Sequence, residues 1–305
     1  NTEYGGRSAL AGNGELVIHG TSYYPGSYGF PYVYSYGSGT SYYKPALFRL
    51  SATGTARVSC AIYGGSSSSS YNAGTGVTIN PANGEVYVTG YTYYPTSYGW
   101  PWGNGGYTTA YQYADPYISR LSGDFSQYLN STMIPTDYYY YDFGVDIELD
   151  PSGNVYVFGF TYQYSTWMGT QTLGTPGGYD TFVAKFSGDL FTRYYTTKVA
   201  GSSTDGAASY TLTTFPHGYY LSGGDQLKVD SQGRAWFTSM SASTNWPTTA
   251  GAYSTTNAGN YDVTVNCLSA DGNSMVYGTY IGGSSTDAGK GIDIDQSGYV
   301  YVAGL

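Results

Sequence analysis

Charged residues and cysteines are both scarce in this 305-residue chain. Asp, Glu, Lys and Arg together make up 10% of it, with only four Glu and five Lys. Long charged side chains are good helix formers that cover exposed helix faces, so little material for solvated helices is present. The two cysteines, Cys60 and Cys267, are too few for a disulfide framework or a multi-cysteine zinc site. The sequence therefore predicts a fold that depends on packing and contains little helix.

Positive charge and long apolar runs are also lacking. The formal net charge is −9, which argues against nucleic-acid binding, because phosphate neutralisation needs clustered Lys and Arg. No stretch approaches the roughly 18 apolar residues of a membrane span, so no membrane insertion is expected. The chain opens at Asn1 without Met, and we expect that an upstream signal or precursor segment has been removed. Few charges with abundant Tyr, Gly, Ser and Thr favour an extracellular or cell-surface location.

The chain contains 45 Gly and 40 Tyr, and its sequence has an internal repeat. A strand–turn–strand pattern at Gly291–Gly304 recurs at Gly76–Gly90, Gly144–Gly159 and Gln226–Ser239, with a worn copy at Ser8–Gly20. Internal repeats of this kind indicate a repeat architecture. The turn glycines are 65 to 80 residues apart: Gly14, Gly84, Gly153, Gly233 and Gly298.

Each repeat carries a second hairpin. Within the first hairpin, apolar residues alternate with the period of a strand, and Asp150-Pro151-Ser152-Gly153 suits a type I turn. Two hairpins per repeat give four strands, the content of a propeller blade. The sequence predicts an all-β fold, a β-propeller of about four to five four-stranded antiparallel blades of roughly 70 residues, as a single repeat domain over residues 1–305. The second hairpins are Ala46–Gly65, Tyr117–Ile134, Thr181–Gly201 and Asp262–Gly283.

Three segments resemble a known family. They are Asn245–Gly304 (NWPTTAGAYSTT…GYVYVAG), Gly144–Gly159 (GVDIELDPSGNVYVFG) and Tyr179–Leu190 (YDTFVAKFSGDL). Together they resemble the SBBP repeat, a seven-bladed-propeller-type family of bacteria and archaea. The resemblance implies a propeller in secreted or cell-surface proteins and no catalytic residues. The family's usual lysine, present as Lys185, is replaced by Cys267 in the last repeat.

Two long loops between the hairpins are rich in aromatic residues. Thr21–Tyr43 and Thr92–Tyr113 are rich in tyrosine, which offers a large, stiff contact area with a polar tip. Three interpretations stay open: subunit contacts, ligand recognition and packing of the loops upon themselves. The candidate interface or ligand aromatics are Tyr23, Tyr24, Tyr28, Phe30, Tyr93, Tyr94, Tyr98, Trp100, Trp102 and Trp246.

No catalytic, cofactor or metal site is predicted. Asp150, Asp230 and Asp295 lie at hairpin turns, where an aspartate beside a glycine is ordinary turn chemistry. Asp205 and Asp287 each follow Gly-Ser-Ser-Thr, and a weak loop metal site there is the minor alternative. His19 and His217 have no recognisable catalytic partners, and a structural or surface role is expected for both. A carboxylate pair for glycoside hydrolysis would come together only in space, and we expect that the chain is not an enzyme.

The number of hairpins favours one function over another. Five first-type and four second-type hairpins leave one hairpin over, and such a hairpin exposes strand edges that invite pairing with another chain. We therefore predict a secreted structural protein that self-assembles into a filament or surface layer through β-strand pairing and Tyr-rich loops. The alternative is an extracellular carbohydrate-binding or adhesion module. Cys60 and Cys267 fall at non-equivalent hairpin positions in different blades, so no disulfide between them is expected.

Overall fold

The computed structural model describes residues 3–23, 31–37, 43–65, 72–93, 99–103, 114–134, 141–162, 171–206 and 225–305. All regular secondary structure in these residues is β-strand, twenty strands in total. In the same residues no helix is long and apolar enough to cross a membrane. The predicted all-β class is confirmed, and Tyr, Val and Thr supply the residues that favour it.

Four sheets have the strand order of propeller blades. Blade 1 has the order β1-β2-β4-β5-β3, with β1 (Glu3–Leu10), β2 (Leu16–Tyr23), β3 (Tyr34–Tyr36), β4 (Tyr43–Leu50) and β5 (Arg57–Tyr63). Blade 2 has the order β6-β7-β8-β9, with β6 (Asn72–Ile79), β7 (Val86–Tyr93), β8 (Ala114–Leu121) and β9 (Tyr128–Met133).

The later blades repeat this order. Blade 3 has the order β10-β11-β13-β14-β12, with β10 (Phe143–Leu149), β11 (Val155–Tyr162), β12 (Gln171–Gly174), β13 (Tyr179–Phe186) and β14 (Arg193–Ala200). Blade 4 has the order β15-β16-β17-β18, with β15 (Leu227–Val229), β16 (Ala235–Ser241), β17 (Asp262–Leu268) and β18 (Met275–Ile281). A half-blade consists of β19 (Gly289–Ile294) and β20 (Val300–Gly304).

The predicted turn glycines close the first hairpin of every repeat. Gly14, Gly84, Gly153, Gly233 and Gly298 all have φ between 75° and 85°, a conformation that glycine adopts without steric cost. In three of these turns the glycine N–H donates to the carbonyl oxygen of the turn aspartate three residues earlier, at 2.9–3.0 Å. The turn chemistry expected for Asp150, Asp230 and Asp295 is therefore present.

The second hairpins share one register. In each blade a β-bulge interrupts the pairing of the third and fourth strands at the same repeat position, where the fourth strand has one extra residue. A bulge bends the strand that carries it. The residues before the bulge and their partners are Arg49 opposite Ser59, Arg120 opposite Asn130, Lys185 opposite Tyr195, and Cys267 opposite Tyr277. The structure thus confirms that Cys267 stands where the other repeats have a basic residue.

The chain forms two compact units, which we call unit 1 and unit 2. Unit 1 comprises mainly residues up to Ile147 and unit 2 mainly residues from Glu148 onward. The core of unit 1 includes Val17, Leu47, Val88, Tyr117 and Phe125. A cluster in unit 2 is formed by Val263, Val265, Ile292, Trp236, Val300 and Val302.

The two cysteines lie in different units. Cys60 is in β5 of unit 1 and Cys267 is in β17 of unit 2. Both are buried thiols. Burial raises the pKa of the Cys267 thiol to about 12, so it remains protonated and unreactive near neutral pH.

Candidate functional site

The half-blade presents a strand edge that complete blades cover. In blade 3, every residue of β11 from Val155 to Tyr162 is paired with a residue of β13. Strands β19 and β20 form a two-stranded sheet of their own. Among the residues that the structure describes, no third strand pairs with the outer edge of β20.

The direction of one amide follows from the pairing. Ile292 lies opposite Val302 in the β19–β20 ladder, yet the Ile292 N–H donates to the carbonyl oxygen of Asp225 at 2.6 Å, away from β20. A pair of this kind is a non-hydrogen-bonded pair, so the backbone groups of both residues point away from each other. The N–H of Val302 therefore points out from the open edge of β20.

The two faces of β20 differ. Val300 and Val302 pack against the buried cluster of Val263, Val265 and Ile292, which seats the strand on blade 4. On the other face Tyr301 is 58% exposed. An unpaired edge with an exposed aromatic residue is the type of surface to which another strand can add.

The turn of the half-blade also differs from the turn of blade 3. In blade 3, Asp150 accepts the N–H groups of Ser152 and Asn154 at 2.9 Å and lies 3.5 Å from the Lys185 ammonium. Asp295 makes the corresponding backbone contacts and accepts the Tyr301 hydroxyl at 3.1 Å. The N–H of Tyr299 makes the largest contribution to lowering the pKa of Asp295. No ion pair of Asp295 is present within the described part of the chain.

Two of the predicted surface aromatics are buried instead. Trp100 contacts the rings of Tyr63 and Tyr117 and donates its indole N–H to Ser131 Oγ at 3.0 Å. Trp246 donates its indole N–H to Asn266 Oδ1 at 2.8 Å. Both are 3% exposed. The prediction of an interface or ligand role is corrected for these two residues, because each fills the interior next to a polar acceptor.

The other candidates divide into two groups. Tyr23 contacts Tyr43 with ring centroids 4.8 Å apart, and Tyr93 contacts Tyr141 at 5.8 Å. Trp102 is partly buried against the core of unit 1. The remaining candidates lie outside the described residues: Tyr24, Tyr28, Phe30, Tyr94 and Tyr98.

A buried polar network surrounds His19, as sequence reasoning did not foresee. Its Nδ1 is 2.9 Å from the Gly76 carbonyl oxygen and its Nε2 is 2.6 Å from the Tyr63 hydroxyl. The Tyr63 and Tyr117 hydroxyls are 3.0 Å apart, and Tyr117 donates to the carbonyl oxygen of Ala73 at 3.0 Å. Complete burial lowers the pKa of His19 to about 4. The neutral ring therefore donates from Nδ1 and accepts at Nε2, which is a structural role.

The remaining predicted site residues carry no assembled chemistry. His217 lies outside the described residues. Within the described ranges, no three side chains of His, Cys, Asp or Glu are grouped to hold a metal ion.

Comparisons with known proteins add three findings. Residues 276–305 match the family model described as the SBBP β-propeller repeat, which confirms the resemblance in the last repeat. No curated protein matches the chain. A solved structure, BamB from Moraxella catarrhalis, aligns with 97% of this chain and 81% of its own at 11% identity and a TM-score of 0.27. That similarity is too low to support a functional statement.

Proposed function

We propose that this chain, which carries an SBBP β-propeller repeat at residues 276–305, is a non-catalytic extracellular structural protein. It assembles with copies of itself into a filament or a surface layer. The observation that carries the proposal is the outward-pointing N–H of Val302, on an edge of β20 that no strand of the described residues covers. Unpaired backbone groups along an ordered strand favour pairing with another strand.

Strand number supports a second copy as the partner. Two half-blades paired edge to edge through β20 make a sheet of four strands, which equals the number in a complete blade. Such a contact uses the same surface on both copies and by itself closes at a dimer. A polymer needs a second contact, and we assign it to the Tyr-rich loops Thr21–Tyr43 and Thr92–Tyr113. An aromatic, charge-poor surface is typical of interface cores.

Composition and turn chemistry support a non-catalytic role at the cell exterior. Asp150, Asp230 and Asp295 accept backbone N–H groups of their own turns, so their carboxylates serve the fold. Few charged residues and abundant tyrosine suit an extracellular polymer, in which large, rigid side chains fill subunit contacts.

The experiment compares two substitutions at one position. Val302→Pro removes the outward N–H, while the pairing of β20 with β19 stays intact because proline is tolerated on an edge strand. Val302→Ala shortens the side chain but keeps the N–H and is the matched control. By sedimentation velocity and electron microscopy, we expect polymers for the wild-type protein and for Val302→Ala, and monomers or small closed oligomers for Val302→Pro. Deletion of Gly291–Leu305 should act like the proline.

The second candidate function is carbohydrate binding or adhesion. Its specific support is Tyr253, which is 81% exposed beside blade 4 and offers a flat face of the kind that stacks on sugar rings. If the wild-type protein stays monomeric at high concentration, the structural proposal is wrong. Glycan-array binding by that monomer, weakened by Tyr253→Ala, would then favour the binding module.

A further inference from the structure

One buried position carries a lysine in blade 1 and an aspartate in blades 2, 3 and 4. This residue is the first or second residue of the third strand and lies opposite a serine or threonine of the second strand in every complete blade. Each of these residues is at most 2% exposed. They are Lys44 in β4, Asp115 in β8, Asp180 in β13 and Asp262 in β17.

In unit 2 a second aspartate lies beside Asp180. The N–H of Asp205 donates to the carbonyl oxygen of Tyr179, the residue before Asp180, at 2.5 Å. Asp205 Oδ2 accepts the Gly201 N–H at 2.7 Å and the Ser243 hydroxyl at 3.0 Å, and Oδ1 accepts the Ser241 hydroxyl. This carboxylate is therefore held in a fixed position.

Asp180 is held less completely. Its Oδ1 accepts a long hydrogen bond of 3.5 Å from the Gly177 N–H. Its Oδ2 is buried and has no hydrogen-bond partner among the residues that the structure describes. Burial is the largest cause that raises the pKa of Asp180 well above its usual range, followed by the charge of Asp205, while Lys198 opposes the rise. A buried oxygen that accepts no hydrogen bond is costly to the folded state.

The same arrangement recurs in the next repeat. The N–H of Asp287 donates to the carbonyl oxygen of Tyr261 at 2.7 Å, and Asp287 Oδ2 accepts the Gly283 N–H at 2.9 Å. Asp262 Oδ2 accepts the Ala258 N–H at 2.8 Å, but its Oδ1 is buried without a hydrogen-bond partner in the described part of the chain. Two repeats therefore leave one oxygen of the third-strand aspartate unpaired.

Blade 1 has different residues at the two positions that are aspartates in unit 2. Lys44 replaces the third-strand aspartate, and Asn72 replaces the second one: Asn72 Nδ2 donates to the carbonyl oxygen of Tyr43 at 3.1 Å. The Lys44 ammonium lies 3.5 Å from the Gly64 carbonyl oxygen. Here the protein supplies its own buried cation where unit 2 has two carboxylates.

We propose that Asp180 and Asp205 together bind a hard divalent cation, with Ca²⁺ as the ion that fits best. The open Asp180 Oδ2 and the Asp205 carboxylate would be its protein ligands, and water would complete the six to eight oxygens that Ca²⁺ takes. Asp262 and Asp287 form a second copy of the site. Sites in extracellular modules with few charged ligands bind Ca²⁺ with Kd of about 0.1–1 mM. The inference does not depend on self-assembly.

The experiment uses thermal and urea unfolding of the intact protein in EGTA or in 5 mM free CaCl₂, with NaCl added to equal ionic strength. At pH 8 we expect Ca²⁺ to favour the folded state by about tenfold in the unfolding equilibrium constant per site. At pH 5.5 the shift should be smaller, because protons compete for the carboxylates. MgCl₂ at the same concentration should act more weakly, because Mg²⁺ keeps its water.

Two variants and one control locate the ion. Asp180→Asn removes a charge, and Asp180→Lys introduces the residue that blade 1 has as Lys44. Both variants should lose a factor of about ten of the Ca²⁺ response and keep the response that comes from Asp262 and Asp287. Asp271→Asn, at an exposed turn, should respond like the wild-type protein. Calcium titration by calorimetry should find one equivalent fewer in Asp180→Lys.

Two results would overturn the proposal. One is an unchanged stability of the wild-type protein in Ca²⁺, with Asp180→Asn abolishing only the pH dependence; the pair would then share a proton. The other is an equal Ca²⁺ response in the wild-type protein and in Asp180→Lys. If Asp180→Asn does not fold, the wild-type titration and Asp180→Lys still decide the question.

Discussion

Blade 1 and blade 3 have the same backbone register but different polar interiors. His19 in β2 and Phe158 in β11 occupy the same repeat position. Each lies opposite a third-strand residue two places before the residue that precedes the bulge. His19 joins a hydrogen-bonded network with Tyr63, whereas Phe158 contacts Phe237 with ring centroids 5.3 Å apart. A second buried position differs in the sign of its ionisable group: blade 1 has Lys44 there and blade 3 has Asp180.

The difference shows how a repeat tolerates variation. Backbone pairing depends on the alternation of side chains and on turn glycines, which both blades share. Each interior position must only satisfy its own neighbours by shape and hydrogen bonding. Buried groups of opposite character therefore coexist, and the two blades should respond in opposite directions to pH.

The largest effect is expected from truncation of Tyr63, the residue that links the network of unit 1 to its core. Its buried ring contacts Trp100, Tyr117 and Tyr128. Tyr63→Ala should destabilise the protein by about 3–5 kcal/mol in urea unfolding, because it leaves a cavity in a packed interior. Tyr63→Phe keeps the ring but leaves His19 Nε2 without a donor and should cost about 1–3 kcal/mol. An equal loss of unfolding free energy in the two variants would show that the cavity does not cause the larger effect.

The second effect is the pH dependence that His19 contributes. Its folded-state pKa of about 4 lies below the ordinary value of 6.5. The unfolded chain therefore takes up a proton first as the pH falls, and stability is lost between pH 6.5 and pH 4. The difference corresponds to about 3 kcal/mol. His19→Gln should flatten this part of the stability curve; a curve with the wild-type slope would show that His19 is not buried as a neutral ring.

The third effect has the opposite sign and belongs to Asp180. A carboxyl group whose pKa is raised in the folded state adds stability at low pH and loses it as the pH rises above 4 towards the raised pKa. In EGTA, Asp180→Asn should therefore gain stability over the wild-type protein at pH 8, by about 1–3 kcal/mol. The two proteins should be nearly equal at pH 4. Asp271→Asn is the control and should show no such gain.

The smallest effect concerns the two thiols. Because one lies in each unit, the reaction of each thiol measures the opening of its own unit. Cys60 and Cys267 are both fully buried, so a thiol reagent at pH 8 should modify neither in the native protein. In low urea, the rate of modification of each cysteine should follow the opening of its own unit. Tyr63→Ala should accelerate the reaction of Cys60 more than that of Cys267. A non-reducing peptide map that joins the two cysteines would contradict the structure.

The hairpins could be predicted because their signals are local. Gly153 follows Asp150 by three residues, and each second hairpin spans about twenty residues of continuous sequence. The equivalence of Cys267 with Lys185, inferred from the sequence, reappears in the register of the strands. The burial of Trp100 and Trp246 was missed because both stand in loop sequences that read as surface, while their partners lie 20 to 31 residues away.

By itself the sequence determined the strand content, the turn positions, the pairing within each hairpin and the presence of one surplus hairpin. These features depend on side-chain period and backbone conformation, which act over a few residues. Only the tertiary structure decided that His19 meets Tyr63 and that Asp205 lies beside Asp180. Hydrogen bonding and electrostatic repulsion depend on distance in space, and the residues concerned are 44 and 25 positions apart in the chain. No periodicity of the sequence encodes such encounters.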